Sequence, residues 1–139
     1  MQKKIIIDTN WWVAFILSKK TTGFPEFFSF TQIDIVFSAD LLNEISNTLN
    51  YARSIKRVNE YNYNVFLSFV KNSAIVIESK SSITICRDPK DNFLLALAKD
   101  AGADYLITRD DDLLSLNQFE NTSIVTLQQF IDILNQSAI

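Results

Sequence analysis

The sequence predicts an α/β sandwich around a mainly parallel sheet. Three observations predict it. "KKIIID" at residues 3–8 has, after two lysines, a continuous apolar run of three Ile, the pattern of a strand buried on both faces. Runs of this kind alternate along the chain with segments of helical period. The 139 residues, 47% hydrophobic and 12% aromatic, suffice for one domain, 1–139, with an independent core.

The elements follow in order. After the first strand, "TNWWVAFILSKK" reads as a helix with Asp8 or Thr9 at its cap and a basic last turn. "TTGFP" breaks the pattern, and "PEFFSFTQ" suits a short helix with Pro25 at its first position. "IDIVFS" is a second strand. In "ADLLNEISNTLNYARSIKR", Leu41, Leu42, Ile45 and Leu49 form one apolar stripe. "NEYNYNVFLSFVKNS" is a further helix, with Val65, Phe66, Phe69 and Val70 facing the core, and "AIVIES" is a third strand. "DPKDNFLLALAKDAGA" is a helix capped by Asp88, with Pro89 in the first turn and Gly102 near the end. "DYLIT" and "SIVT" are strands four and five, and "TLQQFIDILNQ" closes the chain as a helix. The expected architecture is a three-layer sandwich with a five-stranded sheet.

Composition excludes several chemistries. There is no His, so neither Ser-His-Asp nor Cys-His catalysis is available, nor a His-based zinc site. The lone Cys86 cannot form an internal disulfide and reads as a small hydrophobe. The longest apolar stretch, Trp11–Leu17, is too short for a bilayer, and "MQKKIIIDTN" does not read as a signal peptide. A reducing, cytoplasmic setting is expected. A net charge of −3 argues against a broad phosphate-binding surface.

The acids fall in a pattern. In an open α/β sheet, ligands sit outside the carboxyl ends of the strands. Asp8 ends strand one, Asp110 lies two residues past "DYLIT", Asp91 is in the first turn of its helix, and Glu44 sits on the helix after strand two. If strands one and four are neighbours, the four carboxylates converge. Clustered like charges conflict unless a cation joins them. Oxygen ligands without His or Cys suit Mg²⁺ or Mn²⁺. Each acid also has a structural alternative: Asp8 as a helix cap, Asp91 as a partner of the helix dipole, Glu44 as an exposed helix residue. Asp88 is assigned to capping, and Asp100, Asp104 and Asp111 to the surface or to turns. Among the cations, Arg109 beside the acids is the first candidate to touch a phosphate, ahead of Lys19, Lys20, Arg53, Lys56, Arg57 and Arg87.

"IIIDTN", "LLNEI", "DPKDNFLLALA" and "ADYLITRDDDLL" together resemble the PIN-domain family, in particular the VapC-like ribonucleases of toxin–antitoxin pairs. The resemblance runs through nearly the whole chain in the right order. It implies a parallel five-stranded sheet and a metal-dependent endoribonuclease using metal-activated water. It implies Asp8, Glu44, Asp91 and Asp110 as catalytic acids, with Asp8, Asp91 and Asp110 as metal ligands. Asp112 would assist as an outer ligand, and Thr9, Asn10 and Thr108 would orient the carboxylates. It also implies an RNA substrate and an antitoxin partner. Trp11 and Trp12 are bulkier than the resemblance leads one to expect. Together with Phe15, Phe24, Phe27, Phe28 and Phe30 they suggest an apolar surface for a homodimer or for that partner. The rival classes are a non-cleaving RNA- or protein-binding module of the same fold and another α/β metal enzyme. A phosphatase of that kind would want a second Asp where "DTN" has Asn10.

Overall fold

A computed structural model describes residues 2–19, 32–55 and 57–137. The expected helix at Pro25 lies outside them, as do Phe24, Phe27, Phe28, Phe30, Lys20 and Lys56. The elements in chain order are β1 (Lys3–Ile7), α1 (Thr9–Leu17), β2 (Ile33–Ser38), α2 (Ala39–Ser54), α3 (Glu60–Asn72) and β3 (Ile75–Ile77). There follow α4 (Pro89–Ala101), β4 (Tyr105–Ile107), α5 (Asp111–Leu114), β5 (Gln118–Phe119), β6 (Thr122–Val125) and α6 (Leu127–Ser137).

Among the described residues the sheet has six strands in the order β3-β2-β1-β4-β6-β5, not five. Every pairing is parallel except β5 with β6, which is antiparallel. The α/β architecture is therefore as the alternation predicts. The extra strand is a two-residue edge piece that turns back through Glu120, whose φ of 50° is in the left-handed region. Two residues carry no alternation to read.

Burial explains the order of the strands. Ile5, Ile6 and Ile7 are fully buried. Each such side chain contributes roughly 1.5–3 kcal/mol of hydrophobic stabilisation, so this strand belongs at the sheet's centre. Trp12 lies on the same core, where its ring meets Phe37, Phe66 and Phe69 at centroid distances of 5.3, 5.2 and 6.2 Å. Its indole N–H donates to the Ile7 carbonyl at 3.1 Å. Trp12 is thus a core residue, which removes it from the expected aromatic surface. Trp11 is half-buried.

Helix ends are closed by side chains. Ser38 Oγ accepts from the Leu41 N–H at the start of α2. The last carbonyls of α1 are met by two amides that the apolar stripes do not advertise: Asn59 Nδ2 donates to Ser18 O at 2.8 Å, and buried Asn62 Nδ2 donates to Phe15 O at 3.0 Å. At the end of α4, Gly102 has φ +62°, and Ala103 N–H returns to Ala98 O at 3.0 Å. A side chain there would cost about 1 kcal/mol through φ alone, because nothing lies within 4 Å of its Cβ. Among the described residues no helix is long and apolar enough to cross a membrane.

Candidate metal centre

Strands β1 and β4 are neighbours, with Ile7 opposite Ile107, and the Asp8 N–H donates to Ile107 O at 2.9 Å. The chain after β1 therefore emerges beside the chain after β4. Asp8 and Thr108 are both 1% exposed there. Asp8 occupies the cap position of α1, yet its carboxylate makes no cap hydrogen bond. Oδ2 instead accepts from the Thr108 hydroxyl at 2.7 Å. Oδ1 is buried without a hydrogen-bond partner, and so is the hydroxyl of neighbouring Thr9. A buried carboxylate oxygen in that state costs free energy that a cation would recover.

Thr108 also accepts from the Asp110 N–H at 3.0 Å, so one hydroxyl ties Asp8 to the Asp110 backbone. Asp110 caps the short α5: its Oδ1 accepts from the N–H groups of Asp112 and Leu113 at 2.8 and 3.3 Å. Asp91, 1% exposed, is in the first turn of α4, where its N–H donates to Asp88 O at 3.1 Å. One carboxylate oxygen from each of Asp91, Asp110 and Asp112 lies within 4.8 Å of the other two.

The structure thus brings Asp91 and Asp110 together, but their third companion is Asp112, from which the sequence suggested only an outer role. Asp8 stands outside this trio and is joined to it through Thr108. Glu44 is half-buried on α2 and also lies outside it. Asn10 is exposed; its carbonyl accepts from Arg109 Nη2 at 3.5 Å, which holds that guanidinium beside the start of α1. Among the described residues no Lys or Arg forms an ion pair with Asp8, Asp110 or Asp112. Arg53 is already committed, to Glu60 and to the face of Tyr63.

Cys86 registers the field of these acids. Burial pushes its thiol up from the ordinary value, and the negative charges of Asp91, Asp112, Asp110 and Asp88 push it further. Cys86 is a half-buried free cysteine. Two residues carry more than the sequence shows. Asn92 clamps the Cys86 backbone, with Oδ1 accepting from its N–H at 2.9 Å and Nδ2 donating to its carbonyl at 2.8 Å. Asn92 follows Asp91, so the clamp fixes the approach to the turn that presents that acid. The only signal in the sequence is an amide where the helix begins its apolar run. Asp100, read as a plain surface charge, is instead held well below the usual carboxylate range. The hydroxyl and N–H of Ser81 contribute most, joined by the Ser79 hydroxyl and the Lys80 N–H.

The donor set is all oxygen, partly buried and open through exposed Asp112. It fits a hard divalent cation better than any soft metal. Comparison with known proteins agrees: a family model described as PIN domain matches residues 4–112. The matched stretch holds Asp8, Glu44, Asp91, Asp110 and Asp112, while β5, β6 and α6 follow it. No curated protein matches the chain.

Proposed function

Because the chain belongs to the PIN-domain family, we propose that it is a metal-dependent endoribonuclease with Asp8, Asp91, Asp110 and Asp112 at its centre. One observation carries this conclusion: three carboxylates converge within 4.8 Å, and a buried fourth, with an unpartnered oxygen, is tied to them by Thr108. A divalent cation held there, Mg²⁺ or Mn²⁺, supplies charge neutralisation at a phosphodiester and a lowered pKa for water.

The chain's own residues supply the rest. Asp91 and Asp110 are fixed by backbone geometry at a helix start and at a cap, so they need little reorganisation. Thr108 spends its proton on Asp8 Oδ2, which leaves Oδ1 as the oxygen open to a ligand. With no His in the chain, the proton lost by the attacking water passes to a carboxylate or to solvent. The leaving oxygen takes up a proton from solvent as its bond to phosphorus breaks. Glu44 serves at the edge of the site, and Arg109 contacts a substrate phosphate. The family resemblance extends the proposal to the toxin half of a toxin–antitoxin pair. That pair would act in the cytoplasm, with an antitoxin bound and the chain itself a homodimer.

The test is cleavage of a labelled RNA mixture with Mg²⁺ or Mn²⁺ against EDTA, alongside Asp8→Asn and Asp110→Asn. Cutting should require the metal and fall on the order of 100-fold or more in each variant. Undiminished metal-dependent cutting by both variants would overturn the assignment. Absence of both cutting and calorimetric Mn²⁺ binding would favour a non-cleaving module of the same fold.

A further inference from the structure

Asp91 reaches the acid cluster from the first turn of α4, the part of a helix where the backbone gives way most easily. Without a cation, the carboxylates of Asp110 and Asp112 repel it. Its position must therefore be held from outside the helix. The connection that leads into α4, residues 78–88, contains no strand or helix that could hold it. One side chain does. Asn92 Oδ1 accepts from the Cys86 N–H at 2.9 Å, and Nδ2 donates to the Cys86 carbonyl at 2.8 Å. These bonds close residues 86–92 into a ring, and Asp91 lies within it. The ring is braced at its middle, where the Asp91 and Asn92 N–H groups both donate to Asp88 O, at 3.1 and 3.3 Å. Among the described residues, no N–H between Ser81 and Asp88 other than that of Cys86 makes a hydrogen bond.

We propose that Asn92 is a positioning residue of the metal centre. Its clamp on Cys86 holds Asp91 in the ligating position, so that cation binding and closure of this ring are coupled. The proposal rests on the metal-centre reading and adds to it a residue that is not itself a ligand. Both amide atoms are committed to Cys86, so Asn92 acts through Asp91. If the ring stands open in part of the molecules, apparent affinity falls by the fraction that remains closed. The chemistry of the side chain is specific. An amide offers an acceptor and a donor side by side, which is what the N–H and C=O of one residue require. Asparagine is a poor helix former, so the helix itself does not ask for it. The rival reading is that the clamp merely anchors a loop. Asp100 supplies the comparison, because it ties the same connection to the far end of α4 through Ser79, Lys80 and Ser81.

The test is calorimetric Mn²⁺ titration of the whole chain, at a temperature where circular dichroism shows each variant folded. Asn92→Ala should raise Kd about 10- to 100-fold, as the loss of a residue that orients a metal ligand does. Alanine favours the helix, so a weaker helix would not account for the change. Asp100→Asn should lower the melting temperature at pH 7 but keep Kd within about twofold. Coupling is reciprocal. Saturating Mg²⁺ should therefore slow hydrogen exchange at the wild-type Cys86 N–H, and more than at the Lys80 and Ser81 N–H groups. A folded Asn92→Ala with the wild-type Kd would overturn the proposal, as would an Asp100→Asn whose Kd rises as much. Should Asn92→Ala not fold, exchange at Cys86 that Mg²⁺ slows no more than at Lys80 and Ser81 would overturn it equally. A wild-type chain that binds no Mn²⁺ would instead sink the metal centre itself, and this role with it.

Discussion

The hydroxyl of Thr108 does two things at once: it donates to Asp8 Oδ2 and accepts from the Asp110 N–H. Valine has nearly the same shape and neither capacity. Thr108→Val should therefore leave a buried carboxylate oxygen and an amide without partners and cost about 1–3 kcal/mol. Thr108→Ser should restore most of it. Urea melts of the three chains decide the matter, and equal midpoints would show that the hydroxyl carries no weight. The identities of the acids were legible in the sequence, because carboxylates at the ends of apolar strands stand out. Their directions were not. Asp8 reads as a ligand and a cap at once; it does hold the cap position, but its carboxylate turns to Thr108, 100 residues away. Asp112 reads as peripheral, yet the single turn of α5 places its oxygen with those of Asp91 and Asp110. Side-chain direction at a helix start depends on the neighbouring strand, which no local pattern reveals.

Helix α4 carries Asp91 and also holds the connection that precedes it, at two points. Asn92 grips Cys86 at one end; Asp100 takes both the Ser79 and Ser81 hydroxyls and the Lys80 and Ser81 N–H groups at the other. Strand β3 is shorter than "AIVIES" suggests and ends at Ile77, and just beyond that run the Lys80 and Ser81 N–H groups go to the Asp100 carboxylate. Because the Asp100 carboxyl is held below its ordinary value of 3.8, its contribution is fully present above about pH 4. It is lost as pH falls further, where the carboxyl takes up a proton. Asp100→Asn should accordingly melt lower than the wild type at pH 7, and the gap should narrow towards pH 2. A gap independent of pH would show that the charge is not what holds the loop. The long helices were readable from their periodicity. The short pieces α5 and β5 were not, since four and two residues leave no period to measure.

At the scale of the whole molecule, the site exists because strand β4 lies against strand β1, with Ile5 facing Tyr105. The parallel sheet could be inferred from alternating apolar runs and helices. The neighbour relation could only be posed as a condition, which the observed strand order meets. Bringing acids together strains the fold, and a cation should relieve it. Saturating Mg²⁺ or Mn²⁺ should raise the melting temperature, by about 2.7 kcal/mol of stability at a hundred times Kd. NaCl of equal ionic strength should not, and Asp8→Asn should shrink the rise. An unmoved melting temperature would mean that no cation is held there.

The same pairing has a consequence for synthesis. Asp8 leaves the ribosome early, but Thr108, Asp110 and Asp112 are made about a hundred residues later, and contacts of such long range form last. A growing chain would thus carry no assembled centre until Asp112 has been made. Fragments that stop short of Asp110 would be inert.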